Sequence, residues 1–293
     1  METSEVIYLS LPTICVAGAA WGIHLFRKRR RERRLILYQK QISREQLRIL
    51  HKIALYQLLP LPLRRELRGR MAVFLAEKEF EGCQGLRVTE EMRIGVAAMA
   101  CLLMLHKDLD NYPKLKTILL YPDTFVGETA QRLGDSAAIR MPSARLGESS
   151  PYGVVVLSWA ELREELYNPN SPGNVGLHEF AHQIDQADGR ADGVPEIPHE
   201  TTADFYARWC KWMNAEYQKL REKAEHSQYD VIDWYGAANG AEFFAVTTEA
   251  FFCRSVLLFQ QHEALYRLFR EFYRVDPAEW HLVYNRRHAE KQL

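Results

Sequence analysis

Two hydrophobic periodicities alternate along the chain. Leu and Ile recur every three or four positions across residues 35–80, the spacing of amphipathic helices, with an interruption at LLPLPL (58–63). MRIGVAAMACLLMLH (92–106) is apolar nearly all round and predicts a buried helix. Thr89 can cap it, and Glu90 and Glu91 suit the positive end of its dipole. Two short runs, TILLYP (117–122) and VVVLSW (154–159), are rich in β-branched and aromatic residues and predict strands. The polar, Gly- and Ser-containing stretch between them reads as turns or a hairpin. VGLHEFAHQI (175–184) returns to helical spacing, with Leu177, Ala181 and Ile184 on one apolar stripe. YNPNSPGN (167–174) supplies turn formers before it, with Asn174 as N-cap. DQADGRADGVPEIPHE (185–200) is a loop by composition, and two long helical patterns follow, around 201–226 and 239–274. Helices, a few strands, then helices predict an α+β fold, mostly helical with a small sheet.

The N-terminal pattern is of another kind. VIYLSLPTICVAGAAWGIHLF (6–26) has no Asp, Glu, Lys or Arg and is about 31 Å long as a helix, enough to cross a hydrocarbon core. METSE precedes it and RKRRRERR (27–34) follows, the reverse of a secretory signal peptide. The expectation is an N-terminal transmembrane helix with a basic flank over 1–34 and a folded domain over 35–293. By the positive-inside rule the domain lies in the cytoplasm, on a single-pass inner-membrane protein with the lipid bilayer as a partner through 6–26. Pro12 and His24 weaken the span, which leaves a peripheral cytoplasmic protein as the alternative.

Composition narrows the classes further. At 293 residues and 47% hydrophobic, the chain has ample material for a core. Cys15, Cys83, Cys101, Cys210 and Cys253 are scattered, with no CxxC pair, which suits buried thiols better than a disulfide framework. Formal net charge is zero and the basic block carries +6, so the remainder carries −6. Direct nucleic-acid binding is therefore not expected.

The candidate chemistry is in the 175–184 helix. His178 and His182 are i and i+4, on one helix face, so both imidazoles can reach one ion. Glu179, one position on, can contact water bound to that ion. This HExxH pattern is that of zinc-dependent hydrolases, and a core would otherwise bury two imidazoles and a carboxylate uncompensated. A catalytic zinc takes three protein ligands and leaves one position open. Asp188 lacks the Gly that a sharp return to the metal requires, since Asp185 stands three residues after His182; Asp185 itself suits a supporting acceptor for an imidazole N–H. Glu242 and Glu249 lie seven apart in YGAANGAEFFAVTTEAFF (235–252), on nearly one helix face but about 10 Å apart along it. They cannot easily share one ion, and the pattern alone does not choose between them.

From near LHKIALYQLLPLP almost to the C-terminus, about residues 50–285, the chain resembles the Mlc titration factor A family of bacterial metallopeptidases. HEFAHQID, ADGVPEIP and EFFAV…EAFF carry the resemblance. It implies a zincin-like fold of gluzincin type, related to lethal-factor-type peptidases, with Zn2+ on His178, His182 and Glu242. In that family a Tyr lies seven residues before the ligating Glu, as Tyr235 does here, and Glu249 then takes a supporting role. The implied reaction is peptide hydrolysis, aminopeptidase-like, with Glu179 as general base and Tyr235 at the oxyanion. VVVLSW is either an edge along which a peptide or protein substrate lies or an interior strand. The resemblance also implies a second function of another class: binding and inactivation of a glucose-responsive transcriptional repressor. The chain departs from the better-known soluble members at its front, where they lack an obvious span.

Overall fold

The computed structural model describes residues 3–109, 112–123, 153–196 and 203–289, and their side chains from residue 19 to residue 284. Four helices come first: α1 (Thr3–Lys40), α2 (Arg44–Leu50), α3 (Ala54–Leu58) and α4 (Leu61–Glu77). Strand β1 (Glu79–Gly82), helix α5 (Glu90–Leu102) and strand β2 (Thr117–Tyr121) follow. Then come β3 (Val154–Ser158), α6 (Trp159–Tyr167), α7 (Val175–Asp185) and α8 (Ala203–Glu225). The chain closes with α9 (Gly240–Cys253), α10 (Ser255–Gln261), α11 (Glu263–Tyr273) and α12 (Pro277–Ala289). The α+β expectation holds in this arrangement of many helices and one small sheet.

The sheet is parallel, in the order β1-β2-β3, with Phe80 opposite Ile118 and Ile118 opposite Val155. Alternation along the strands turns Ile118, Leu120, Val155 and Leu157 into the core. β2 and β3 are parallel neighbours, and turns or a hairpin were expected in the stretch between them. The stretch itself, residues 124–152, lies outside the described residues. Strand β1 was not foreseen; the ammonium of Lys78, just before it, is buried and donates to the carbonyls of Tyr112 and Leu115, both at 2.7 Å. Among the described residues β3 is an edge strand, and it packs against α7.

The capping predicted at Thr89 is present, its Oγ1 accepting from the Met92 amide at 3.3 Å. The pattern read as one helix over 239–274 is three, broken at Arg254 and His262, whose backbones leave the helical region. At the second break the buried His262 ring stands between Glu216 and Asp230, 2.7 and 2.9 Å away. Behind these helices lies an aromatic core in which Trp209 stacks on Phe269 and meets Phe244 and Phe272.

The transmembrane helix expected at 6–26 is corrected: among the described residues, no helix is long and apolar enough to cross a membrane. The inner-membrane location and the bilayer as a partner fall with it. Helix α1 does form, but it runs 38 residues, straight on through the basic block to Lys40. Of its apolar part, the side chains of residues 6–18 lie outside the described residues. The far end of α1 is fixed to the domain instead. The Arg34 guanidinium forks onto both Glu77 oxygens at 2.8 Å, and Tyr38 packs against Gly69 of α4.

Candidate metal centre

Helix α7 is set by its first turn. Asn174 Oδ1 accepts from the Leu177 amide at 3.1 Å, as the turn-former pattern predicts for an N-cap. The Val175 amide donates to Glu165 of α6. Leu177, Phe180 and Ala181 are wholly buried, and Gly176 brings α7 close to Met99 of α5 and Leu162 of α6. A helix held on this many sides fixes the directions of its two histidines. Helix α9 packs across it and is capped in the same way, with Asn239 Oδ1 accepting from the Glu242 amide at 3.0 Å. That cap anchors the backbone of Glu242 itself.

The three residues converge. Nε2 of His178 is 3.1 Å from Nε2 of His182 and 3.1 Å from Oε2 of Glu242, and His182 Nε2 is 3.3 Å from the same oxygen. All three side chains are buried, at 1%, 2% and 5% exposure. Without a metal both imidazoles can donate to Glu242, but the two Nε2 atoms, 3.1 Å apart, then set N–H against N–H. A cation among them engages all three at once. Ligands held tetrahedrally at about 2.0–2.1 Å lie about 3.3 Å apart, so the spacing fits a small divalent metal with two imidazoles and a carboxylate. Burial alone would raise the Glu242 carboxyl, but hydrogen bonds from His178 and His182 hold it far below the usual carboxylate range.

Behind the triangle, His178 Nδ1 lies 2.7 Å from Oε1 of Glu249, whose Oε2 accepts from the Asn174 amide at 2.7 Å. The ring of His178 thus spans the gap between two acids seven residues apart on α9. Glu242 meets its outer nitrogen and Glu249 its inner one. A carboxylate at Nδ1 fixes the tautomer that leaves Nε2 free to bind a metal.

The other candidates separate clearly. Glu179 is half-buried on α7, beside His178. Tyr235 sits in the 3-10 turn Trp234–Ala237, which Asp233 caps by accepting the Tyr235 amide at 2.8 Å. The rings of Tyr235 and His178 are 6.0 Å apart, centroid to centroid. Asp188 is exposed and accepts from the Arg190 amide, so it does not join the group. Asp185 is buried but does not take an imidazole N–H as expected. Its Oδ2 accepts from the Gly193 amide at 3.0 Å, while its Oδ1 and His182 Nδ1 have no partner among the described residues. Burial pushes its carboxyl up to about 6 against the pull of that amide.

Sequence reasoning passed over Gly193. Its φ is +80°, its carbonyl accepts from Trp209 Nε1 at 3.3 Å, and a Cβ on it would lie 2.3 Å from the Gly240 carbonyl oxygen. It ties the loop after α7 to the start of α9. The DG pair at 192–193 was the available signal.

Comparison with known proteins agrees with this chemistry. The sequence pattern of the family described as glucose-regulated metallo-peptidase M90 matches residues 26–274. An uncharacterized protein of Synechocystis is 37% identical over 215 residues, covering 73% of this chain and 77% of that one. A protein named Mlc titration factor A from Edwardsiella ictaluri is 31% identical over 208 residues, 70% of this chain and 77% of the relative. One of the same name from Klebsiella pneumoniae is 30% identical over 216 residues, 73% and 80% of the two chains.

Proposed function

The chain belongs to the glucose-regulated metallo-peptidase M90 family, and from that premise we propose that it hydrolyses peptide bonds with a zinc ion held by His178, His182 and Glu242. The observation that carries this reading is the buried triangle of three donor atoms, each within 3.3 Å of the others. Held by these three residues, zinc would supply a Lewis acid and lower the pKa of water towards neutrality.

The protein's own groups do the rest. Glu179, next to His178 on a rigid helix, accepts the proton of the attacking water and passes it to the leaving amine. Tyr235 donates a hydrogen bond to the oxyanion that develops as the carbonyl is attacked, and its position on a capped turn beside His178 supports that role. Glu249 keeps His178 oriented. Strand β3, an edge strand packed on α7, offers main-chain groups to an extended substrate. Aminopeptidase-like action on short peptides is the finer form of this reading.

The test is zinc content and peptide hydrolysis of wild type beside Glu179→Gln. About one zinc in each, with turnover in wild type alone, is the expected result. Equal turnover would remove Glu179 as the base. Comparison of free and N-acetylated peptides tests the aminopeptidase form, since only the former should be cut.

The name of two of the relatives, Mlc titration factor A, favours a second reading, a regulatory protein that binds a transcriptional repressor. The two readings separate on Glu179→Gln, which should retain partner binding and lose hydrolysis.

A further inference from the structure

A cavity lined by Asn174 adjoins the hydrogen bonds behind the metal centre. It measures about 410 Å3, within the roughly 300–1,000 Å3 of small-molecule sites. Its walls come from the turn between α2 and α3, the end of α6, the N-cap of α7, the end of α9 and α12. Two of its lining groups belong to the hydrogen-bond system behind His178. Asn174 lines it, and the Asn174 amide donates to Glu249, which holds His178 Nδ1. Glu165 also lines it and accepts from Val175, the first residue of α7. A molecule seated here therefore touches the first turn of the helix that carries both histidines.

The lining has a definite polarity. Glu165 is an acid tied to the α7 end of the cavity, and Cys253, one turn beyond Glu249, lies on the same wall. Burial, and then the negative charges of Glu249 and Glu165, push the Cys253 thiol well above its ordinary value against the pull of Arg254, so this thiol adds no charge to the wall. Lys52, on the α2–α3 turn, is exposed, and its side chain makes no hydrogen bond or ion pair among the described residues. The side-chain amides of Gln57, Asn168 and Asn170 also line the cavity, that of Gln57 donating to the His51 carbonyl at 3.0 Å. His281 adds no charge at neutral pH, because burial pushes its imidazole below the ordinary value. One acid, one cation and several amides complement a small ligand with both charges, its ammonium towards Glu165 and its carboxylate towards Lys52.

We propose that this cavity is an effector site for a free amino acid or short peptide, coupled to the metal centre through Asn174, Glu249 and His178. The ligand is then of the product class of the proposed peptidase, so the regulatory meaning rests on that reading, whereas the binding does not. Coupling is reciprocal: a ligand that alters metal retention must itself be bound differently when the metal is present.

The test is calorimetric titration of the zinc-loaded full chain, in a Glu179→Gln background, with the dipeptide alanyl-leucine. Expected is a Kd below about 1 mM, weakened at least roughly fivefold by capping both termini and by Lys52→Glu, and little changed by Lys52→Arg. Lys52 is exposed, so Lys52→Glu should unfold at the wild-type midpoint. The dipeptide should also change the rate of zinc release to a chelator in the parent protein and not in Lys52→Glu. Binding that Lys52→Glu leaves intact places the dipeptide elsewhere, including at the metal, and overturns the site. Preferential binding of glucose or inorganic phosphate overturns the ligand class. Dipeptide binding here without an effect on zinc release overturns the coupling. Absence of peptide hydrolysis by the wild-type protein, with dipeptide binding intact, would count against the peptidase reading alone.

Discussion

The Nδ1 of His178 lies 2.7 Å from Oε1 of Glu249, on the side of the ring away from the converging donor atoms. On the proposed reading, this contact should give Glu249 a measurable share in metal binding without making it a ligand. Loss of such an orienting carboxylate typically lowers metal affinity about 10–100-fold. Glu249→Ala should fall in that range by competition with a chromogenic chelator, and Glu242→Ala should fall well beyond it. The opposite ranking would transfer the ligand role to Glu249.

Tyr235 is assigned to the transition state rather than to the metal, so its removal should leave metal content alone. Tyr235→Phe keeps the ring beside His178 and deletes only the hydroxyl. Removal of one oxyanion donor costs roughly 10²–10³ in kcat, and KM should move little. A Tyr235→Phe variant with wild-type kcat would confine the residue to packing.

The ion cluster at His262 sets a different pH dependence, that of stability. Burial alone would lower the His262 imidazole, but its bonds to Asp230 and Glu216 hold it at about 9. A folded pKa above the unfolded value of about 6.5 means the stabilisation is complete below about pH 6.5 and is lost as pH rises through about 9. Asp230 runs the other way: burial opposes, but His262, the Ile232 amide and Lys223 hold it at about 2. Its contribution is complete above the unfolded value of about 3.9 and is lost as pH falls towards 2. Stability should therefore be greatest between about pH 4 and 6.5 so far as this cluster decides it. His262→Gln should cost roughly 3 kcal/mol at neutral pH, since it leaves two carboxylates facing each other. It should also flatten the alkaline limb of a denaturation midpoint plotted against pH. An unchanged limb would show that the cluster does not govern it.

The same cluster marks a limit of what the sequence conveys. No Gly or Pro stands at 254 or 262, so nothing local announces that the helical pattern over 239–274 is three helices. The second break is accompanied by partners 46 and 32 residues away in sequence. Strand β1, EFEG, escaped for a related reason: three of its four residues are exposed, and its pairing with β2 supplies what its own pattern lacks. By contrast, the Asn174 cap and the apolar face of α7 were legible because they depend only on neighbours in the chain. Both histidines could be read from spacing, but Glu242 and Glu249 could not be separated that way. What distinguishes them is an imidazole on another helix, with one nitrogen for each. The membrane reading went astray from counting uncharged residues at 6–26; the described helix carries its basic block back to α4 through Arg34 and Glu77.

Gly193 offers a way to disturb the site without touching a proposed ligand. Its positive φ would cost a side chain about 1–2 kcal/mol, and its Cβ would press on the carbonyl of Gly240 at 2.3 Å. That neighbour is backbone at the start of α9, two residues before Glu242, so relief of the clash moves the turn that carries the acid. Gly189 supplies the control: its φ is +99°, but a Cβ there would meet nothing within 4 Å. Gly189→Ala should therefore lose about 1–2 kcal/mol of stability and keep its metal affinity. Gly193→Ala should lose roughly 2–4 kcal/mol and bind metal at least several-fold more weakly. Denaturant midpoints and chelator competition on the two variants side by side decide the matter. If both lose stability equally and both keep their metal, the contact between Gly193 and Gly240 does not position Glu242.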